Sequence, residues 1–212
     1  MILVPVKNLA NAKQRLAQAL EQSSRTELAH AMLHDVLDAL AESAADVSLV
    51  TSDAFAVELA QHFRFEVIRD DSNLSETAAI EMATRVCESR GIQTTLVIPA
   101  DIPLIEAADV RAIYEAAPAR GTVLVPAADR RGTNAVLRRP AALFPLRFGN
   151  DSFMPHLTAA IAAQATCVVL SLPRIALDVD TPEDLQQLVK AGSEKRSQRL
   201  ARKLGFSEAA AV

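Results

Sequence analysis

The chain has 212 residues, half of them apolar, which is enough to bury one sizeable core and points to a single domain. A formal net charge of −4 excludes the broad basic face of a general nucleic-acid binder, so an anionic ligand must be met by local cations and backbone N–H groups. The two cysteines, Cys87 and Cys167, lie far apart in apolar contexts and read as free thiols. MILVPVKN lacks the charged start and long apolar stretch of a secretory leader, and no apolar run nears the ~20 residues of a membrane span. A cytoplasmic protein is expected.

Ile2 to Val6 forms a short apolar strand, followed by a polar loop with Lys7, Asn8 and Asn11; a helix is expected from about Ala12. Ser24 to Glu27 reads as a capping box ahead of Leu28, Met32, Leu33, Val36, Leu37 and Leu40 at helical spacing. Val47 to Asp53 runs from strand into a helix start, Phe65 to Asp70 is a third strand, and a loop leads to a helix over about Ser75 to Ser89. Strands follow over 94–99, 122–127 and 132–139, with a helix over about Ala107 to Ala116 after the first of them. A further helix spans Ser152 to about Ala163, and TCVVLSL (166–172) is another strand. Thr181-Pro-Glu-Asp starts a helix with Thr as cap, Pro at its first position and acids in its first turn. Such alternation predicts an α/β sheet, mostly parallel. Residues 1–192 are assigned to the domain, and the basic segment 193–212 to a solvated or frayed helical tail.

Two apolar runs break off into acidic residues. TTLVIPADIPLI places Asp101 just past a buried strand, and PRIALDVDTPEDL places Asp178 and Asp180 two residues apart, on one face of an extended segment. Ligands of open α/β sheets collect beyond the carboxyl ends of the strands. Three carboxylates there suggest a divalent cation held for phosphate chemistry. Lys7, Lys13 and Arg15 cluster in the loop after the first strand, a setting suited to a polyphosphate. Gly132, Thr133 and Asn134 put small polar groups at a strand start. Gly149 lets backbone approach a ligand, and Ser152 stands at a helix N-terminus, as anion site, cap or both. His30 and His34, on one helix flank, read as surface residues. With six glycines in the chain, neither G-x-G-x-x-G nor a P-loop is present, which weighs against a dinucleotide oxidoreductase and a P-loop NTPase.

The ordered set PVKNLANAKQRL, PADIPLI, GTNAVL, FGNDSF and LDVDTPEDL resembles the 2-phospholactate guanylyltransferase family of deazaflavin coenzyme F-420 biosynthesis, from about Ile2 to Leu188. The resemblance implies a single-domain, GT-A-like, Rossmann-like nucleotidyltransferase fold with a mixed, mostly parallel sheet. It also implies GMP transfer from GTP to a small phosphorylated three-carbon acid, with Mg²⁺ and release of pyrophosphate. On this basis Asp101, Asp178 and Asp180 are the metal ligands and Lys13 lies against the triphosphate, with Lys7 and Arg15 nearby. Thr133, Gly149 and Ser152, with Asn134 beside them, hold the acceptor. Where relatives carry a Leu-Asn pair at the base, this chain has Leu74-Ser75, so base contact falls to Ser75 or Asn73. The expected state is monomer or homodimer, with no nucleic-acid or membrane partner. Another sugar-phosphate or cofactor nucleotidyltransferase, a metal-dependent glycosyltransferase and a non-catalytic binding module remain alternatives.

Overall fold

A computed structural model describes residues 1–72 and 74–207. Seven strands form one sheet: β1 (Ile2–Pro5), β2 (Val47–Val50), β3 (Glu66–Ile68), β4 (Thr95–Val97), β5 (Gly121–Pro126), β6 (Thr133–Arg139) and β7 (Thr166–Val169). Their order is β3-β2-β1-β4-β6-β5-β7, and β6 alone runs against its neighbours. The expected mixed, mostly parallel sheet is therefore present, with helices on both faces.

Period-two alternation sorts the strand side chains between those faces. Ile2, Val4, Leu96, Ile98, Val123, Val125, Ala135 and Leu137 pack on one side, under α1 (Gln22–Glu42), α2 (Ala54–Phe63) and α4 (Ala107–Glu115). Leu3, Val97, Leu124 and Val136 face the other, under α3 (Glu76–Ser89) and α5 (Phe153–Ala162). Strands buried on both faces read as unbroken apolar runs, which is why they stand out in the sequence. Both cysteines are free, Cys87 in the core and Cys167 half-buried. No helix among the described residues is long and apolar enough to cross a membrane.

The first loop departs from expectation. No helix begins at Ala12; two 3₁₀ turns, Leu9–Asn11 and Gln14–Leu16, precede α1. Lys13, between them, has a left-handed backbone (φ 56°), which an α-helix cannot continue through. Ser24 and Glu27 form no capping box, because the Arg25 N–H already bonds to the Glu21 carbonyl and the helix starts at Gln22. Downstream, β7 stops at Val169, and the chain makes a one-turn helix, α6 (Pro173–Ala176), before α7 (Pro182–Lys190). Thr181 and Asp184 make the reciprocal capping box that starts α7, with Pro182 in its first turn.

Residues 193–207 stay with the body. In α8 (Arg196–Lys203), Ser197, Gln198 and Ala201 are buried, and Gln198 Nε2 donates to the carbonyls of Leu188 and Ala191. Asp35 of α1 accepts from the N–H groups of Arg196 and Ser197 and from the Ser197 hydroxyl, at 2.9, 2.8 and 2.6 Å. It caps the start of α8 from across the fold. His30 and His34 are half-buried on α1, and the His30 ring stacks on Phe55 at 3.6 Å.

Candidate active site

The strand order reverses between β1 and β4, and a crevice opens beyond their carboxyl ends. Lys13 follows β1 and Asp101 follows β4, so the topology brings them to the same crevice. Lys13 Nζ donates to Asp101 Oδ2 at 2.8 Å and to Asp180 Oδ1 at 2.9 Å. Burial alone would push this ammonium down; the charges of Asp101 and then Asp180 outweigh burial and hold its pKa at about 12. Asp180, half-buried, is lifted by desolvation, but Lys13 and Arg15 more than compensate and keep its carboxyl below the usual range. Arg15 reaches both Asp180 and Asn150, each at 3.3 Å.

Asp178 and Asp180 do not end a strand of the sheet. They lie on an extended link between α6 and α7, where the Val179 N–H bonds to the Asp101 carbonyl at 3.0 Å. Val179 is wholly buried while its two acidic neighbours are not, as the alternation requires. Asp178 points to Asn134, whose Nδ2 donates to Asp178 Oδ1 at 3.0 Å and to the carbonyls of Ile175 and Ala176 at 2.9 and 3.2 Å. Desolvation raises the Asp178 pKa; the Asn134 bond opposes that, and the Asp101 charge adds to it. The Asn134 amide nitrogen is thus committed to holding the acidic link.

A cleft of about 750 Å³ extends from these carboxylates between the β5–β6 turn and the loop before α5. Thr133, Gly149 and Ser152 all line it. Ser152 precedes α5, yet its side chain makes no capping bond; its Oγ accepts the Thr133 N–H at 2.9 Å. Gly149 has φ +114°, which only glycine adopts readily. A smaller cavity of about 310 Å³ lies on the other side, lined by Lys7, Asn11, Lys13, Met32 and others, and the two share Glu76, Pro99, Asp101 and Asp180.

Other expected residues are placed differently. Lys7 lines the smaller cavity but is paired with Asp70 at 2.6 Å, tying the first loop to the loop after β3. Ser75 caps α3, accepting from the Ala78 N–H at 3.1 Å, and lines neither cavity. Asn73 lies outside the described residues. Among the described residues no cluster of three acidic, His or Cys side chains could alone hold a metal, so the three aspartates do not form a closed cage.

Sequence reasoning passes over several residues. Glu76, in the first turn of α3, has its pKa raised to about 7 by burial and then by the Asp101 charge. In the sequence it looks like any acid in a helix's first turn. Arg131 pairs with Asp151 through two bonds of 2.5 and 3.1 Å at the cleft mouth. His156, wholly buried, contacts Thr133 Oγ1 at 3.0 Å. Its spacing of four from Ser152, on one side of a helix, is the available signal.

A family model described as "Guanylyl transferase CofC like" matches residues 1–211. The chain is 32% identical over 205 residues to the 2-phospho-L-lactate guanylyltransferase of Methanothermobacter thermautotrophicus, covering 97% of this chain and 91% of that one. It is 38% identical over 202 residues to the phosphoenolpyruvate guanylyltransferase of Rubrobacter xylanophilus, covering 94% and 98%. The fold is similar to a crystal structure of a putative nucleotide-diphospho-sugar transferase from Desulfovibrio desulfuricans G20, with a TM-score of 0.78, 22% identity and coverage of 95% and 93%. A matching profile along nearly the whole chain, on a nucleotidyltransferase fold whose switch-point crevice gathers lysine and carboxylates, leaves one conclusion: the chain belongs to the CofC-like guanylyltransferase family.

Proposed function

We propose that this enzyme transfers GMP from GTP to a small phosphorylated three-carbon acid, such as phosphoenolpyruvate, 2-phospholactate or 3-phosphoglycerate, in the biosynthesis of coenzyme F-420 in the cytoplasm. The observation that carries this reading is Lys13, held between Asp101 and Asp180 where the two cavities meet. It marks where positive charge is wanted between two polyanionic ligands. An oxygen of the acceptor phosphate attacks the α-phosphorus; the bond from that phosphorus to the β-phosphate oxygen breaks, and pyrophosphate leaves. Phosphate dianions are nucleophiles near neutral pH, with a second pKa of about 6, so no dedicated base is needed.

The triphosphate lies along the first loop, where Lys13 and Arg15 neutralise developing charge on the departing pyrophosphate. Lys7 keeps that loop in place through Asp70. The acceptor occupies the larger cleft at Thr133, Gly149 and Ser152, while Asn134 holds Asp178. Hard carboxylate oxygens fit Mg²⁺, which characteristically takes one or two protein carboxylates and completes its shell with substrate phosphates and water. That accounts for an open donor set: Asp101 and Asp180, already sharing the cationic Lys13, with Asp178 beside them, would hold the ion. Bound there, it would offset phosphate charge.

The test is pyrophosphate release from GTP with each of the three acids, with the GMP adduct identified by mass. Release with at least one acid is expected; silence with all three would overturn the assignment.

A further inference from the structure

We propose that His156 is a positioning residue that fixes the hydrogen-bond polarity of the acceptor pocket, leaving the Thr133 hydroxyl free to donate to an anion. The inference deepens the proposed acceptor site and rests on it. His156 Nε2 lies 3.0 Å from the Arg147 backbone nitrogen, which can only donate. Nε2 must therefore carry a lone pair, and a neutral imidazole with its lone pair there bears its proton on Nδ1. Nδ1 stands 3.0 Å from Thr133 Oγ1 and so donates to it.

A hydroxyl that accepts from His156 keeps its own hydrogen for another partner, and no protein acceptor among the described residues takes it. Ser152 repeats the pattern: its Oγ accepts the Thr133 N–H and makes no capping bond. Both residues are about 95% buried, at 5% and 3% exposure, and both line the larger cleft. Each of the two hydroxyls accepts one hydrogen bond from the protein and keeps its own hydrogen, so both can donate into the cleft. Ionised phosphate and carboxylate oxygens are their complement, since they accept and cannot donate. Burial and the neighbouring Arg138 push the His156 pKa down to about 4, so the ring is neutral where the enzyme works. An imidazolium would donate from both nitrogens and could not receive the Arg147 N–H.

The first measurement needs no substrate. In the full-length protein labelled with ¹⁵N-histidine, the His156 resonances at neutral pH should show the proton on Nδ1; a proton on Nε2 overturns the proposal. In the kinetic arm, His156→Leu should raise the acceptor KM on the order of tenfold or more, the size of one lost hydrogen bond to a charged group, with the KM for GTP unchanged. His156→Asn places an amide donor near the Nδ1 position and should restore most of the loss. His156→Gln, reaching toward the Nε2 position, should not. Thr133→Val should raise the acceptor KM similarly, and adding His156→Leu to it should cost nothing further. Rescue by Gln instead of Asn, or additive losses in the double variant, would assign His156 merely to holding the Arg147 backbone. Should His156→Leu fail to fold, the tautomer and the Asn and Gln variants still decide. If wild type transfers GMP to no phosphorylated acid, the proposed function fails, while the position of the ring proton still supports or overturns the role of His156.

Discussion

The two sides of the crevice are built on opposite principles. Around Lys13 the structure is charged, with Asp101 and Asp180 each about a third exposed and bound to one ammonium. Around Thr133 it is neutral: Thr133, Ser152 and His156 are buried and linked by hydrogen bonds of 2.9–3.0 Å. The ammonium is buried, but the carboxylates that hold it reach solvent and can take up other partners there. Buried hydrogen-bonded networks are stiff, and losing a partner is costly. The charged side is therefore suited to rearrange around a triphosphate, and the neutral side to wait in its final shape.

The sharpest break in this comparison is Asp101→Ala. On the charged side it should lower kcat by roughly 10³-fold, about 4 kcal/mol of lost electrostatic stabilisation, while the fold survives. Steady-state rates and a thermal melt on the same sample check it. Near-normal turnover would remove Asp101 from the chemistry, and a collapsed melting temperature would give this side the structural role assigned to its neighbour.

The neutral side should instead reveal itself in stability against pH. The folded-state pKa of His156 is depressed to about 4 from an unfolded value near 6.5. Below 6.5 the unfolded chain takes up a proton that the folded chain resists, so stability present above that pH is lost as pH falls toward 4. Integrated over that shift, the loss approaches about 3 kcal/mol. Urea unfolding of wild type and His156→Asn between pH 4 and 7 should show a smaller acid loss in the variant. Parallel curves would mean that His156 is accessible to protons in the folded state.

A third variant separates both sides from the rest of the fold. Asp35→Ala leaves the N–H groups of Arg196 and Ser197 and the Ser197 hydroxyl without their acceptor, at a residue that lines neither cavity. Loss of a buried charged cap should cost about 2 kcal/mol in urea unfolding and leave kcat and both KM values unchanged. A change in acceptor KM would couple α8 to the site.

The same division governs what is legible in the sequence. Apolar strands, the Thr181 cap and the acids at Asp101, Asp178 and Asp180 all announce themselves, because burial and helix starts have local signatures. The site's charged residues can be named, but not the pairing of Lys13 with two aspartates, 88 and 167 positions away. Lys13 itself depends on a left-handed backbone that Ala-Lys-Gln does not advertise, so sequence pattern starts the first helix too early. Ser152 looks like a helix cap because capping is its commonest local use; only the fold brings the Thr133 N–H to its hydroxyl. His156 is passed over for the same reason: apart from its spacing of four from Ser152, nothing local marks a buried imidazole on a helix.

Gly149→Ala offers the finest test of a preformed acceptor side. At φ +114° an alanine is strained, yet a Cβ built there meets no heavy atom within 4 Å. No protein atom thus opposes the methyl group, and its cost to the fold is conformational, about 1 kcal/mol. If the loop before α5 is rigid, that strain stays in the folded protein and urea unfolding should register it. If the loop relaxes, Ser152, three residues on, shifts from the Thr133 N–H; stability then recovers while the acceptor KM rises several-fold. The neutral network around His156 favours the first result, because a stiff pocket confines strain to the residue that bears it.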